Sequence, residues 1–362
     1  MDFRVYLQAN AREIDEAVDQ ILSEWFEGIK KEYPKLIPLA LAFITACKGG
    51  KRIRGVLVRM GYEIANQSSV VSLPAGKAGL QSSDIIKVGA ALEILHASIL
   101  AHDDIIDKSE LRRGQKTLYQ ALGGDHYGIS QAIGLADIGF FLCFSIISKS
   151  KFQDQEKNQA IGIVSKMMMD TGLGEILDVE LPHLGGERKE EDVIKIMHLK
   201  TAQYTISGPL VVGATLGGAD EDLYKKLSQF GDNLGIAFQI QDDILGVFGE
   251  EKELGKSVTS DIEEGKNTLL ITEALKKATS GQRKILDQYY GKGDLGDKGD
   301  QGNKGLEEVR KVFRESGVLD YSQRIALKYV EAAKSVIPEI TQDKDLDKLL
   351  TEMASFLVER RS

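Results

Sequence analysis

Little in this sequence breaks a helix. Only six of its 362 residues are proline, and no proline-rich or low-complexity linker divides the chain. Its length exceeds the usual one-domain prior, yet one large domain spanning residues 1–362 is the expectation. A chain this long can bury an extensive core. Cysteine occurs twice, and Cys47 and Cys143 stand far apart in apolar surroundings. That argues against a disulfide framework and for reduced, buried thiols inside a cell. A basic tail is missing: the formal charge of −9 disfavours sequence-independent nucleic-acid binding, which relies on Lys and Arg. The amino-terminal MDFRVYLQANAREIDEA lacks the apolar core of a secretory signal. No uninterrupted apolar run approaches the roughly 20 residues that span a bilayer. A cytoplasmic protein that is not transmembrane is therefore expected.

What is present is helical periodicity. In IDEAVDQILSEWFEGIKKEY, Ile14, Val18, Ile21, Leu22, Trp25 and Ile29 form one stripe, which is helix spacing. Val88–Ser109 is an apolar helix running into acidic residues, and Asp222–Phe248 is another. Ser130–Lys149 is apolar on most sides, which predicts a central buried helix. No period-2 pattern stands out, so the fold class is all-α, a large helical bundle. Two stretches interrupt it. Residues 67–83 are Ser/Gly-rich and predict a surface loop. Residues 291–305 carry glycine at every third position from Gly293; without proline and at this length the run predicts a flexible loop, not a triple helix.

The segment HDDIIDKSELRRG concentrates charge of both signs. On a helix Asp103 and Asp107 project from nearly the same face, about 6 Å apart along the axis, while Asp104 points roughly 100° away. They follow an apolar run and so sit near a helix C-terminus, where negative charge opposes the helix dipole. A cation should complete the site, and carboxylate oxygens suit Mg²⁺, which fills its octahedron with water and phosphate oxygens. Arg112 and Arg113 follow at a turn marked by RRG, and arginine grips phosphate bidentately. Far downstream, FQIQDDILG ends a second apolar helix with Asp242 and Asp243, and GKSVTSDIEEGKNTLL then supplies Lys256 and Lys266. Further basic residues lie in GGKRIRG and in HLKTAQYT. Each lysine alone reads most simply as a solvated surface group.

In that order these blocks resemble the trans-isoprenyl diphosphate synthases, the all-α polyprenyl synthetase family, over nearly the whole chain, and most of all its geranylgeranyl diphosphate synthases. The resemblance implies an enzyme that condenses isopentenyl diphosphate with an allylic diphosphate and releases pyrophosphate, working as a homodimer. It implies three Mg²⁺ ions, two on Asp103 and Asp107 and one on Asp242, with Asp104 and Asp243 in the same catalytic clusters. Arg112, Lys200, Lys256 and Lys266 would grip the allylic diphosphate, with Thr201 and Gln239 beside its carbon chain. Lys51, Arg54, His96 and Arg113 would form a metal-free site for isopentenyl diphosphate. A buried structural role stays open for His96, and His102 reads as a supporting residue.

Three positions depart from the family's commonest pattern. Gly55 replaces a usual proline, implying a less rigid loop; Gly246 stands where many members carry a third aspartate; Ala136 replaces a usual glycine before Asp137. Family members with a bulky aromatic four or five residues before the first aspartate make shorter products. Here those positions are Ile99 and Ser98, with Leu95 and Leu92 further along the wall. A C20 product is expected, with Phe140, Phe141 and Phe144 as a deeper floor or simply as core. The alternatives are a longer-chain or farnesyl synthase and a non-catalytic subunit of a heteromeric synthase. The latter tends to lose an aspartate motif, and both are present. A terpene cyclase would share the acidic helix end but needs no second anion site.

Overall fold

The computed structural model describes residues 2–68, 75–184, 189–249, 260–293 and 300–359. Helices dominate: α1 (Phe3–Glu32), α2 (Ile37–Ala46), α3 (Ile53–Ser68), α4 (Ala75–Ile106), α5 (Leu118–Ala121), α6 (His126–Lys149), α7 (Asp154–Leu184) and α8 (Glu190–Ile196). After a π-helical stretch, Met197–Ser207, come α9 (Gly208–Leu216), α10 (Glu221–Phe248), α11 (Ser260–Glu264), α12 (Leu269–Lys277), α13 (Ser280–Tyr289), α14 (Asp300–Glu315), α15 (Val318–Ile340) and α16 (Lys344–Glu359). The exception to an all-α fold among the described residues is one small hairpin, β1 (Leu111–Arg112) with β2 (Gln115–Lys116).

Local chemistry explains the boundaries. The Asp2 side chain caps α1 by accepting from the Arg4 N–H at 2.7 Å, and Ile14, Val18, Ile21 and Leu22 face the core. The end of α4 is a Schellman arrangement: the Ser109 N–H donates to Asp104 O at 2.8 Å and Lys108 N–H to Ile105 O at 3.3 Å, with Lys108 left-handed at φ 53°. The β1–β2 turn places Arg113 (φ 54°) and Gly114 (φ 71°) at its two central positions, which is what a type I′ hairpin needs.

The chain groups into two compact units, one of Met1–Lys166, Thr205–Ser228 and Pro338–Leu350, the other of Met167–Tyr204, Gln229–Ile337 and Thr351–Ser362. In the first, α3 packs on α9 and α4 on α3 and α6. A Cβ at Gly61 would overlap the Leu210 carbonyl and one at Gly213 the Val58 carbonyl, so these glycines set the closeness of α3 and α9. In the second, Val247, Ile262, Leu270, Val309 and Phe313 form one apolar cluster, and Val193, Met197, Ala202, Ile240 and Ile244 another.

Two expectations need correction. Helix α4 begins at Ala75 and α14 at Asp300, so helix takes over within both stretches read as loops; serine and glycine each cost a helix only about 1 kcal/mol or less, too little to decide against it. Helix α6 is not buried all round. Ala132, Leu135, Ala136, Gly139, Cys143 and Ile147 face inward, while Tyr127, Ile133, Ile138 and Phe141 are exposed, Phe141 by 72%. Phe141 is therefore no part of a floor. Apolarity on every side fits burial by another chain as well as burial in a core. Residues Ser83–Ile106 and His126–Lys149 have the length and apolarity of membrane spans, and the first is 61% buried within the protein.

Candidate active site

In the first unit, the C-terminal turn of α4 carries the acidic cluster. Asp103 and Asp107 present carboxylate oxygens within 4.8 Å of each other. Asp104 points elsewhere and is buried, and burial raises its carboxyl above the usual range against the pull of Arg112. The Arg112 Nε donates to Asp104 Oδ1 at 2.8 Å and its Nη2 to Asp103 Oδ2 at 3.1 Å. The hairpin thus returns Arg112 to the helix end that the sequence separates from it. His102 lies 3.6 Å from Asp137 and edge-on to Phe140, a bridge between α4 and α6.

Next to it, the loop before α3, the first turn of α3 and the hairpin gather arginines around His96. The neighbours that bear on His96 are Arg54, Arg113, Arg112 and Arg52; burial first, and then these guanidiniums, hold its imidazole well below the usual range. His96 is thereby neutral near pH 7, a hydrogen-bonding group in a field that the arginines make positive. Arg54 Nη2 donates to Thr205 Oγ1 at 2.8 Å, and Arg113 Nη1 to Lys48 O at 3.4 Å. Lys51 is exposed on the same loop.

Arg52 does something different. It is buried and left-handed (φ 52°), donates to Asp15 at 2.8 and 2.5 Å and to Cys47 O at 3.1 Å, and lies 3.9 Å from Glu93. The buried Glu93 in turn accepts from the Gly55 N–H at 2.9 Å. A Cβ at Gly55 would come within 2.6 Å of Ile14 and 3.0 Å of Gly89 O. Gly55 is thus not a loosened loop residue; it lies in α3, fixed by close packing and by an N–H bond that proline could not make.

The second unit holds the remaining groups. Glycines let α7 and α10 close on the π-helical stretch, since a Cβ at Gly174 would lie 2.5 Å from Lys200 N and one at Gly235 2.5 Å from Ala202 Cα. π-Helical turns occur often at functional positions, and this one carries Lys200 and Thr201. The Lys200 ammonium sits 2.8 Å from Glu175 and 3.0 Å from Asp178. Asp243 is buried beside Asp261, and burial first, then Asp261, pushes its carboxyl up to about 8. Gln239 is turned to Asp243, donating at 2.6 Å. Lys266 pairs with Asp261 at 3.1 Å and Glu264 at 3.2 Å, and Asp242 is half-buried at the same end of α10. Lys256 lies outside the described residues.

Of the chain-length positions, Ser98 and Leu95 are buried. Ser98 donates to Ile94 O at 3.1 Å and sits where a Cβ on Gly139 would overlap it; that Cβ would also come within 2.8 Å of the Phe43 ring. Ile99 is half-buried one position on. Glu93, Arg52, Glu175, Asp178 and Asp261 are not marked in the sequence, because single carboxylates and one more arginine in a basic run carry no local signal.

A family model for polyprenyl synthetase matches residues 39–302. The chain belongs to the polyprenyl synthetase family. Membership makes it an enzyme, a trans-prenyltransferase, of all-α fold. It is 33% identical over 349 residues to the geranylgeranyl diphosphate synthase of Saccharolobus solfataricus, covering 92% of each chain. It is 31% identical over 320 residues to the geranylfarnesyl diphosphate synthase of Aeropyrum pernix, covering 86% of this chain and 91% of that one. The solved geranylgeranyl pyrophosphate synthase of Corynebacterium glutamicum, complexed with isoprenyl diphosphate and magnesium, shares the fold at TM-score 0.87 and 24% identity over all of both chains.

Proposed function

We propose that this prenyltransferase makes geranylgeranyl diphosphate by joining isopentenyl diphosphate to an allylic diphosphate, with Mg²⁺ and with release of pyrophosphate. The observation that carries the reading is the juxtaposition, at one end of α4, of the Asp103–Asp107 pair with the arginines gathered around His96. One end asks for a cation and the other for an anion, as two diphosphates of different handling would require.

The residues fit Mg²⁺: Asp103 and Asp107 offer oxygen donors within 4.8 Å of each other, suited to a hard dication. Asp103, Asp107 and Asp242 would hold the ions, which when bound supply charge stabilisation on the leaving pyrophosphate. Arg112, Lys200, Lys256 and Lys266 bind the same diphosphate and stabilise the charge that grows on it as the allylic C–O bond breaks. Lys51, Arg54, neutral His96 and Arg113 hold isopentenyl diphosphate so that its double bond attacks the allylic cation at close range. Apolar helix walls keep water from the cation. Proton loss to the departing pyrophosphate completes the turn, so no side-chain base is assigned. The C20 length is supported by the absence of an aromatic at Ile99, and by relatives named geranylgeranyl diphosphate synthase.

We further infer a cytoplasmic homodimer that does not cross a membrane. The support for the dimer is the exposed apolar face of α6, with Ile138 and Phe141, and separately the exposed row Met169, Leu173, Ile176 and Val179 on α7. Apolar surface of this kind marks an interaction face, and a second copy is the occupant assigned to it. Light scattering of Phe141→Lys against the parent tests it: a monomer supports the assignment, an unchanged dimer removes α6 from the interface.

The product is read by incubating enzyme with Mg²⁺, isopentenyl diphosphate and, separately, the C5, C10 and C15 allylic diphosphates, then chromatographing the dephosphorylated alcohols. A dominant C20 alcohol is expected. A C15 stop, or C25 and beyond, overturns the length; no product from folded enzyme points to a non-catalytic subunit.

A further inference from the structure

The glycine at position 246 is costly where it stands. It lies inside α10, and a glycine in a helix interior gives up roughly 1 kcal/mol relative to alanine. The space it leaves is filled. A Cβ built on Gly246 would overlap the carboxylate of Asp261, with Asp261 Cγ only 2.8 Å away. Asp261 is itself 3% exposed and reaches in from α11.

What Asp261 does there is set by its other neighbour. The backbone of Lys266 is pinned on both sides: its N–H donates to Asp261 O at 3.1 Å, and its carbonyl accepts from the Tyr290 hydroxyl at 2.6 Å and from the Thr268 N–H at 3.0 Å. With the main chain fixed, the direction of the ammonium is left to its partners, Asp261 Oδ1 at 3.1 Å and the more exposed Glu264 at 3.2 Å. Asn267 adds an anchor by donating to Asp178 O at 2.9 Å.

We infer that Gly246 is the seat of Asp261, and that Asp261 is the positioning residue that aims Lys266 at the allylic diphosphate. The inference rests on the proposed role of Lys266 as a diphosphate-binding group. The gap at 246 is then no missing carboxylate: a carboxylate from another helix stands in that space, and it carries a lysine with it. A short acid side chain has few rotamers in a buried site, so a methyl group at 246 moves the Asp261 carboxylate off its place and frees Lys266.

Four single variants, one double variant and their steady-state kinetics test this, with Mg²⁺ saturating and the two substrates varied in turn. Lys266→Gln reads the role of the lysine alone and is expected to raise the KM for the allylic diphosphate at least tenfold, leaving that for isopentenyl diphosphate unchanged. Gly246→Ala and Asp261→Asn are each expected to reproduce that split at about tenfold, with the melting temperature of Gly246→Ala no lower than the parent's. Combining them is expected to cost no more than Asp261→Asn alone, since both remove one interaction. Gly246→Asp, which restores the aspartate common in the family, is expected to lose activity further. If Lys266→Gln shifts the allylic KM and Gly246→Ala does not, or if the two small substitutions multiply, the seating of Asp261 on Gly246 is wrong while the reading of Lys266 stands. If Lys266→Gln leaves the allylic KM unchanged, the role of Lys266 itself fails.

Discussion

The surroundings of His96 and those of Asp243 are opposite electrostatic environments. Around His96 guanidiniums gather, the imidazole is held neutral, and the acids Asp15 and Glu93 pair with Arg52. Around Asp243 carboxylates gather instead: Asp178, Asp242 and Asp261 lie in the same unit, both lysines already touch acids, and Asp243 itself is pushed up to about 8. The first region can take a phosphate directly. The second has to receive positive charge before its carboxylates and lysines can face an anion together. Surplus charge, more than residue type, tells what each region expects its ligand to bring.

The contrast can be broken from either side. The largest effect should come from Asp242→Ala, expected to lower kcat by about 10³-fold, the scale of losing a transition-state electrostatic contact, with the isopentenyl diphosphate KM unchanged and the Mg²⁺ requirement raised. Arg54→Lys keeps the charge but loses the planar fork. It should raise the isopentenyl diphosphate KM about tenfold, the value of 1.4 kcal/mol, and leave the Mg²⁺ titration as it was; a shifted Mg²⁺ titration would merge the two regions.

Stability sharpens the same comparison at smaller scale. Gly55→Pro removes the N–H that Glu93 accepts, leaving a buried carboxylate short of a donor at a cost of about 1–3 kcal/mol. Thermal denaturation should show a fall of several degrees. The smallest effect concerns His96. Its folded-state pKa is depressed by burial and the arginines, so below the usual imidazole range, near 6.5, the unfolded chain binds a proton that the folded one refuses. Stability is therefore full above that range and declines as pH falls through it, by up to about 1.4 kcal/mol per pH unit. Urea midpoints across that window should show the decline in the parent and a shallower one in His96→Gln.

Helices, the order of the motifs and the turn at Arg113 were readable from the sequence because each depends on neighbours within a few positions. The aspartates and basic groups of the site were readable for the same reason, being clustered in short blocks. What was not readable lies between distant residues. Gly55 reads as a loosened loop until Glu93 is seen against its N–H, and Gly246 reads as a lost aspartate until Asp261 is seen in its place. The even apolarity of α6 does not say which face meets the core, because a partner's surface and a core select the same side chains. Ser98 looks like an open wall position from its size, yet the glycine opposite it on α6 lets the two helices close over it.

The two thiols give the molecule a built-in clock. Cys47 and Cys143 are free and buried, and burial pushes each thiol up to about 12, with Arg52 drawing Cys47 slightly back. A protonated, covered sulfur does not react with alkylating reagents, so labelling waits for the protein to open. Cys47 lies under the loop that carries Lys51 and its carbonyl holds Arg52; Cys143 lies on the inward face of α6. Labelling times at these two sites, followed separately by mass spectrometry, would report how often the loop before α3 lifts and how often the α6 layer parts, without any added probe.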